Sequence, residues 1–189
     1  TARDLAPAHV LVVVRHERDQ VADAVTGISP EVVVVDQDEI PGTGRAVEVA
    51  LAAVPDFAGD VLVLSGDVPL LDVDTLSALI ADHRASRAAT TLLSAVLPDA
   101  TGYGRVIRAT DGTVQRIVEQ KDATAAEAAV TEINAGVYVF QAPVLRRHLA
   151  LVGTDNAQQE KYLTDVIALA RADALAVSAS IVRDVTLTL

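Results

Sequence analysis

Short, uninterrupted β-branched runs separated by helix-patterned stretches constrain this chain more than any other feature. Val10, Leu11, Val12, Val13 and Val14 follow one another without a break, as do Val32, Val33, Val34 and Val35, and then Val61, Leu62, Val63 and Leu64. Such runs are expected of strands buried on both faces of a parallel sheet, here over 9–14, 32–35 and 61–64. A helix is expected over 17–25, and Gly27 and Pro30 break the chain after it. A second helix is expected over 44–54. Thr43 is placed to cap it, and Ala46, Val47, Ala50 and Leu51 form its apolar face. Pro55 and Gly59 end that helix, and a third, over 75–86, takes Asp72 or Asp74 as its cap. Strand, helix, strand, helix, strand predicts a doubly wound α/β sheet, whose ligands lie beyond the carboxyl ends of the strands.

The second half reads differently. A strand is expected over 89–96, followed by a loop through Pro98 and Gly102. Strands over 105–109 and 114–119 flank Thr110, Asp111, Gly112 and Thr113, where Asp-Gly is a hairpin signal. A short helix over 123–129, a strand over 133–140, helices over 143–149 and 163–172 and a strand over 176–181 complete the pattern. Together these elements predict one mixed-sheet domain: a nucleotide-binding half over 1–88, and a half over 89–189 carrying a hairpin-bearing lobe.

Composition narrows the function classes. The chain has 189 residues, half of them hydrophobic, which suits one domain with a real core and excludes a disordered chain. Against 15 lysines and arginines stand 26 aspartates and glutamates, a formal charge of −11 that argues against a nucleic-acid groove. The absence of cysteine excludes disulfides, thiolate zinc sites and a cysteine nucleophile. The absence of methionine predicts an excerpt of a longer protein. No signal peptide is visible, and no apolar run approaches the roughly 20 residues needed to span a bilayer. A cytoplasmic protein with no membrane partner is the expectation.

Several polar residues stand at predicted strand ends, each with two readings. Asp67 follows the third apolar run, in Ser65, Gly66, Asp67, Val68, Pro69, Leu70. A lone carboxylate there suits Mg²⁺, which takes one or two carboxylates with substrate phosphates and water. Gly66 leaves room for a phosphate to approach the backbone; the alternative is a turn starting at Asp67 ahead of Pro69. Gln37 carries an amide suited to the edge of a pyrimidine base. Pro41, Gly42, Thr43 and Gly44 lead into a helix whose amides could face a ligand, or simply cap it. Gly104, Glu119 and Asn134 combine a glycine backbone, a carboxylate and an amide that would suit a sugar, or else trim a hairpin. Thr164 and Asp165 precede an apolar helix and could do no more than cap it. His9, His16, His83 and His148 lack metal-ligand spacing, and no Gly-x-Ser-x-Gly occurs.

In their order, these segments resemble one family. They are Gln37 with Gly42, Thr43 and Gly44; Gly66 through Leu70; Tyr103, Gly104 and Arg105; Ile117 through Ala123; Ile133 through Gly136; and Asn156, Ala157 and Gln158 with Glu160, Tyr162, Leu163, Thr164 and Asp165. The run resembles the uridylyltransferase domain of the bifunctional GlmU family, N-acetylglucosamine-1-phosphate uridylyltransferase/glucosamine-1-phosphate acetyltransferase. The resemblance implies a Rossmann-like nucleotidyltransferase (GT-A-like) α/β mixed sheet flanked by helices, with a β-hairpin sugar-binding lobe. It implies transfer of UMP from UTP to N-acetylglucosamine 1-phosphate with Mg²⁺, giving UDP-N-acetylglucosamine and pyrophosphate for cell-wall (peptidoglycan) precursor synthesis.

Carried over residue by residue, Asp67 becomes the catalytic Mg²⁺ ligand, and Gln37, Gly42 and Thr43 hold the uracil end. Gly66 lies at the phosphate. Gly104, Glu119 and Asn134 bind sugar, ribose and acetamido groups, and Tyr162 and Thr164 line the sugar pocket. Lys121 and Arg105 are nearby candidates to offset phosphate charge. The family's Gly-rich signature (Leu-Ala-Ala-Gly-x-Gly-Thr-Arg-Met), its Gly-Val-Asn metal ligand and its β-helix domain are not in this sequence, and Lys161 stands where the family usually has Tyr. These departures predict a nearly inactive, monomeric fragment of a homotrimeric parent. Two other readings share the motifs: another sugar-1-phosphate nucleotidylyltransferase, and a non-catalytic nucleotide-sugar-sensing relative.

Overall fold

A computed structural model describes residues 1–68, 70–182 and 184–188 of the chain. Pro69, part of the Gly66 to Leu70 motif, lies outside the described residues. The long strand β7 (Glu132–Gln141) organises the molecule. On one side it pairs antiparallel with β4 (Thr90–Val96), which pairs parallel with β8 (Val177–Ile181). On its other side it pairs antiparallel with β3 (Asp60–Leu64) through its carboxyl half and touches β5 (Arg105–Arg108) at Ile133. The hairpin partner of β5 is β6 (Val114–Val118). Its turn forms as the Asp-Gly signal predicts: Gly112 has φ 84°, and the Asp111 carboxylate accepts from the Thr113 amide at 2.9 Å.

Period-two alternation along β7 feeds two cores. Tyr138 and Phe140 face the core filled by Leu145 of α5 (Ala142–Leu149) and by Val166 and Ile167 of α6 (Asp165–Ala172). Ile133, Val137 and Val139 face Leu76 and Leu79 of α3 (Val73–Ser86). Asp72 caps α3, accepting from the Thr75 amide at 2.7 Å, so Asp72 rather than Asp74 takes that role. The short α4 (Ala125–Ala128) starts on a Thr124–Glu127 capping box.

The first half departs from expectation in one respect. β1 (Leu11–Val14) and β2 (Val33–Asp36) pair parallel with each other, flanked by α1 (Arg18–Ile28) and α2 (Thr43–Ala52). They do not continue into β3. The β3 backbone pairs instead with the antiparallel edge of β7, from Asp60↔Gln141 to Leu64↔Val137, and among the described residues no ladder joins β1 to β3. The result is a mixed six-stranded sheet beside a two-stranded one, with a cleft between them. Val12, Val13, Val61 and Val63 line this cleft and are only half-buried, where burial on both faces was expected. His9 packs edge-on against Phe57 at 5.8 Å, setting the start of β1 beside the chain leading into β3. Among the described residues no helix is long and apolar enough to cross a membrane.

Candidate active site

The cleft has a volume of about 980 Å³ and reaches Ser65 and Gly66, just past the end of β3. Its polar lining includes Thr43, Gly66, Glu119, Asn134, Tyr138 and Thr164, contributed by both halves of the chain. Five of the ten residues singled out from the sequence therefore share one cavity. Gly104 adjoins them: its carbonyl accepts from the Asn134 amide at 2.9 Å, and a Cβ on it would lie 3.2 Å from Glu119 Oε2. Gln37, Gly42, Asp67 and Tyr162 stand outside that lining.

Glu119 follows β6, and its Oε1 accepts a hydrogen bond from the Thr164 hydroxyl at 3.0 Å. Thr164 precedes α6 but makes no side-chain cap; its hydroxyl serves the carboxylate instead. Burial pushes the Glu119 carboxyl above its ordinary value, and Asp165, Asp122 and Glu160 push the same way against the Thr164 bond. Burial, followed by the charge of Asp122, raises Asp165 as well. A desolvated carboxylate in acidic surroundings repels phosphate and favours neutral hydroxyl donors. Asn134 Nδ2 donates to the Tyr138 hydroxyl at 2.6 Å, and its Oδ1 accepts from the Gly136 amide at 3.3 Å. Burial holds the Tyr138 phenol protonated well above its usual range. Tyr138 has no place among the sequence candidates; its only signal is membership of the same alternating face of β7 as Asn134.

The other end of the site is built on loops. Gln37 follows β2, and its Nε2 donates to the carbonyls of Ile40 at 2.9 Å and Gly42 at 3.1 Å, bracing the 37–42 turn. Gly42 has φ 111°, and a Cβ on it would press on the Lys161 carbonyl and lie 2.6 Å from the Lys161 nitrogen. Glycine is thus required there by the backbone and by the neighbouring segment together. Gly42, not Thr43, is the residue before α2, and the helix has no side-chain cap. The Thr43 oxygen accepts instead from the Leu163 amide at 3.1 Å.

One further expectation is corrected. Arg105 is 2% exposed, and its guanidinium is consumed by Gln120 Oε1 at 2.9 Å, by the Val130 carbonyl at 3.0 Å and by the Tyr103 carbonyl. It clamps the hairpin to the 128–130 turn, where the Ala128 carbonyl also accepts at 3.3 Å, and it lies outside the cleft lining. Tyr162 is buried outside the cleft lining, with its hydroxyl donating to Asp122 Oδ2 at 3.3 Å. Lys121 is exposed, with its ammonium on Gln158 Oε1 at 2.5 Å.

Asp67 lies exposed three residues past β3, and among the described residues no hydrogen bond or ion pair engages its carboxylate. Among the same residues no group of three or more His, Cys, Asp or Glu side chains could enclose a metal ion. One free carboxylate beside Gly66 fits Mg²⁺ specifically as an ion completed by phosphate and water, since Mg²⁺ keeps most of its waters and rarely sits in an all-protein cage.

Sheet, cleft and polar groups together define a mixed α/β domain with a large cleft between its two sheets. The chain belongs to the nucleotidyl transferase family, whose sequence model matches residues 5–184. It is 60% identical over 185 residues to the bifunctional protein GlmU of Leifsonia xyli subsp. xyli and 56% identical over 185 residues to that of Clavibacter sepedonicus. Each match covers 97% of this chain and 38% of the relative, so the chain spans well under half the length of these proteins. In fold it is similar to a UDP-glucose pyrophosphorylase complexed with UDP-glucose, with TM-score 0.67 and 12% identity over 90% of this chain and 72% of that one. It is likewise similar to HddC from Yersinia pseudotuberculosis complexed with GMP-PN, with TM-score 0.63 and 16% identity over 96% and 73%.

Proposed function

We propose that this domain serves the transfer of UMP from UTP to N-acetylglucosamine 1-phosphate, giving UDP-N-acetylglucosamine and pyrophosphate. Identity of 56–60% to the GlmU proteins supports the reaction class. The observation that carries the sugar assignment is the buried Glu119–Thr164 pair beside Asn134 and the Gly104 backbone. Such a set can take hydroxyl and amide groups of a sugar, and its charge turns phosphate away.

The substrates would lie with the base against the 37–43 loop, the phosphates at Gly66 and Asp67, and the sugar at Glu119. Gln37 holds the turn and offers its carbonyl oxygen to the base. Asp67 is the residue that would hold Mg²⁺, which supplies charge neutralisation and orientation of the phosphates when bound. A phosphate oxygen of the sugar phosphate attacks the α-phosphorus of UTP. One P–O bond forms there as the bond to the β-phosphate bridge breaks, and pyrophosphate leaves. Positioning carries such a reaction, and no protein nucleophile is needed.

Pyrophosphate release from UTP tests the reaction, run with the chain and with a polypeptide of its relatives' length that carries it. Release in the longer polypeptide that depends on both N-acetylglucosamine 1-phosphate and Mg²⁺ is expected. Release that ignores the sugar phosphate, or that prefers glucose 1-phosphate, contradicts the assignment.

A further inference from the structure

Two segments more than 110 residues apart in sequence meet in one tight junction, 37–44 from the first half and 161–164 from the second. The Lys161 amide donates to the Pro41 carbonyl at 2.9 Å, and the Gly44 amide donates back to the Lys161 carbonyl at 2.7 Å. The Leu163 amide donates to the Thr43 hydroxyl oxygen at 3.1 Å. Beneath this backbone exchange, the Lys161 ammonium reaches Glu48 Oε1 at 2.8 Å with its side chain 12% exposed. Glu48 also accepts from Arg45 at 2.5 Å, and Arg45 grips Asp38 in the turn that Gln37 braces. On the other side of Leu163, Thr164 donates to Glu119. Polar contacts joined by short stretches of backbone thus run from Gln37 at the base end to Glu119 at the sugar end, with Lys161 at the middle.

We propose that Lys161 and Glu48 are positioning residues: their ion pair latches the 37–44 loop onto the 161–164 segment and so sets the spacing between the base-reading and sugar-reading ends of the site. The latch rests on the functional reading above for what the two ends bind. Its geometry does not depend on that reading. A lysine on a partly buried carboxylate loses less to solvent than a surface pair, so the contact can hold the loop in register. Coupling through it requires that both ends move with the junction.

Amide hydrogen exchange, read by NMR on the ligand-free chain, tests the latch. Lys161→Met is expected to speed exchange at Gly44 and Leu163 by about tenfold, the effect of losing one charge-assisted hydrogen bond, while the Leu76 amide of α3 keeps its rate. Lys161→Arg is expected to restore both rates. Unchanged rates at Gly44 and Leu163 in Lys161→Met overturn the proposal. Should Leu76 accelerate too, Glu48→Gln decides: faster exchange confined to Gly44 and Leu163 supports the latch, and wild-type rates overturn it. A uridine titration supplies the readout that a merely structural role would not move. Uridine is expected to shift Gly42 and, through the junction, Thr164; in Lys161→Met the Thr164 response is lost. A Thr164 response that survives the substitution overturns the proposal. Uridine that shifts nothing in the wild type tells against the proposed function, while the exchange rates still decide the latch.

Discussion

The proposed sugar end of the cleft and the proposed nucleotide end beside it differ in how their polar groups are held. At the sugar end, Glu119, Asn134 and Thr164 hang from strand ends and a helix start around β7, whose Val137, Val139 and Phe140 are wholly buried. Thr164 is already paired with Glu119 Oε1, and Asn134 with Tyr138. At the nucleotide end, Asp67 is exposed, no partner among the described residues engages its carboxylate, and Gln37 braces its own turn. Under the proposed function, shape and burial would supply selectivity for the sugar, whereas the phosphates would be met by an accessible carboxylate through an ion. Substitutions at the sugar end should therefore change stability and affinity together. At the nucleotide end, substitution of the exposed Asp67 should change activity alone.

The largest effect expected is at Asp67. Asp67→Ala in the full-length relative's context should reduce Mg²⁺-dependent pyrophosphate release by about 10³-fold or more, since the ion contributes several kcal/mol of charge stabilisation. Its urea midpoint should stay within about 0.5 kcal/mol of wild type, as for an exposed residue without partners. An unchanged rate refutes the metal role.

Next comes the contrast between the two sheets. Phe140→Ala should cost about 3–5 kcal/mol of unfolding free energy, because the side chain is wholly buried and stacks 5.5 Å from Tyr138. Val12→Ala, on the half-buried wall of the cleft, should cost about 1 kcal/mol. Equal losses in urea unfolding would erase the distinction between them.

Glu119→Gln should be smaller in size and opposite in sign. The folded state raises the Glu119 carboxyl, so its ionised form is disfavoured by folding. That stabilising contribution is present at low pH and lost as pH rises through the folded value. The wild type should accordingly gain stability as pH falls from neutral toward the ordinary glutamate range, until other carboxylates protonate. Glu119→Gln should flatten that slope and be more stable at pH 7. A steeper slope in the variant contradicts the assignment.

A binding effect is expected at Gln37. Gln37→Ala releases the turn and should weaken UTP binding by about 1–3 kcal/mol, leaving the sugar phosphate less affected. Equal losses for both substrates argue against a uracil contact.

Much of this was legible in the chain. The valine runs, the Asp-Gly hairpin and the β7 alternation appear as strands within a residue or two of expectation, because each pattern is local. The pairing of β3 with β7 was not legible, since a run of Val and Leu records burial but not the neighbour that supplies it. Residue types placed Glu119, Asn134 and Gly104 together correctly as a group, yet misjudged Arg105, whose charge suggested phosphate and whose surroundings are carbonyls. Thr43 and Thr164 looked like helix caps because threonine before a helix usually is one. The contacts that claim their hydroxyls, at Leu163 and Glu119, are remote in sequence and leave no local trace.

The central claim, that the cleft reads an N-acetylglucosamine nucleotide through Glu119 and its neighbours, is tested most directly by titrating the chain with UDP-N-acetylglucosamine. The account predicts saturable shifts at Gly104, Asn134 and Thr164, with affinity about tenfold weaker in Glu119→Gln, the loss of one charge-assisted hydrogen bond. Shifts confined to residues outside the cleft, or equal affinity in Glu119→Gln, would contradict it.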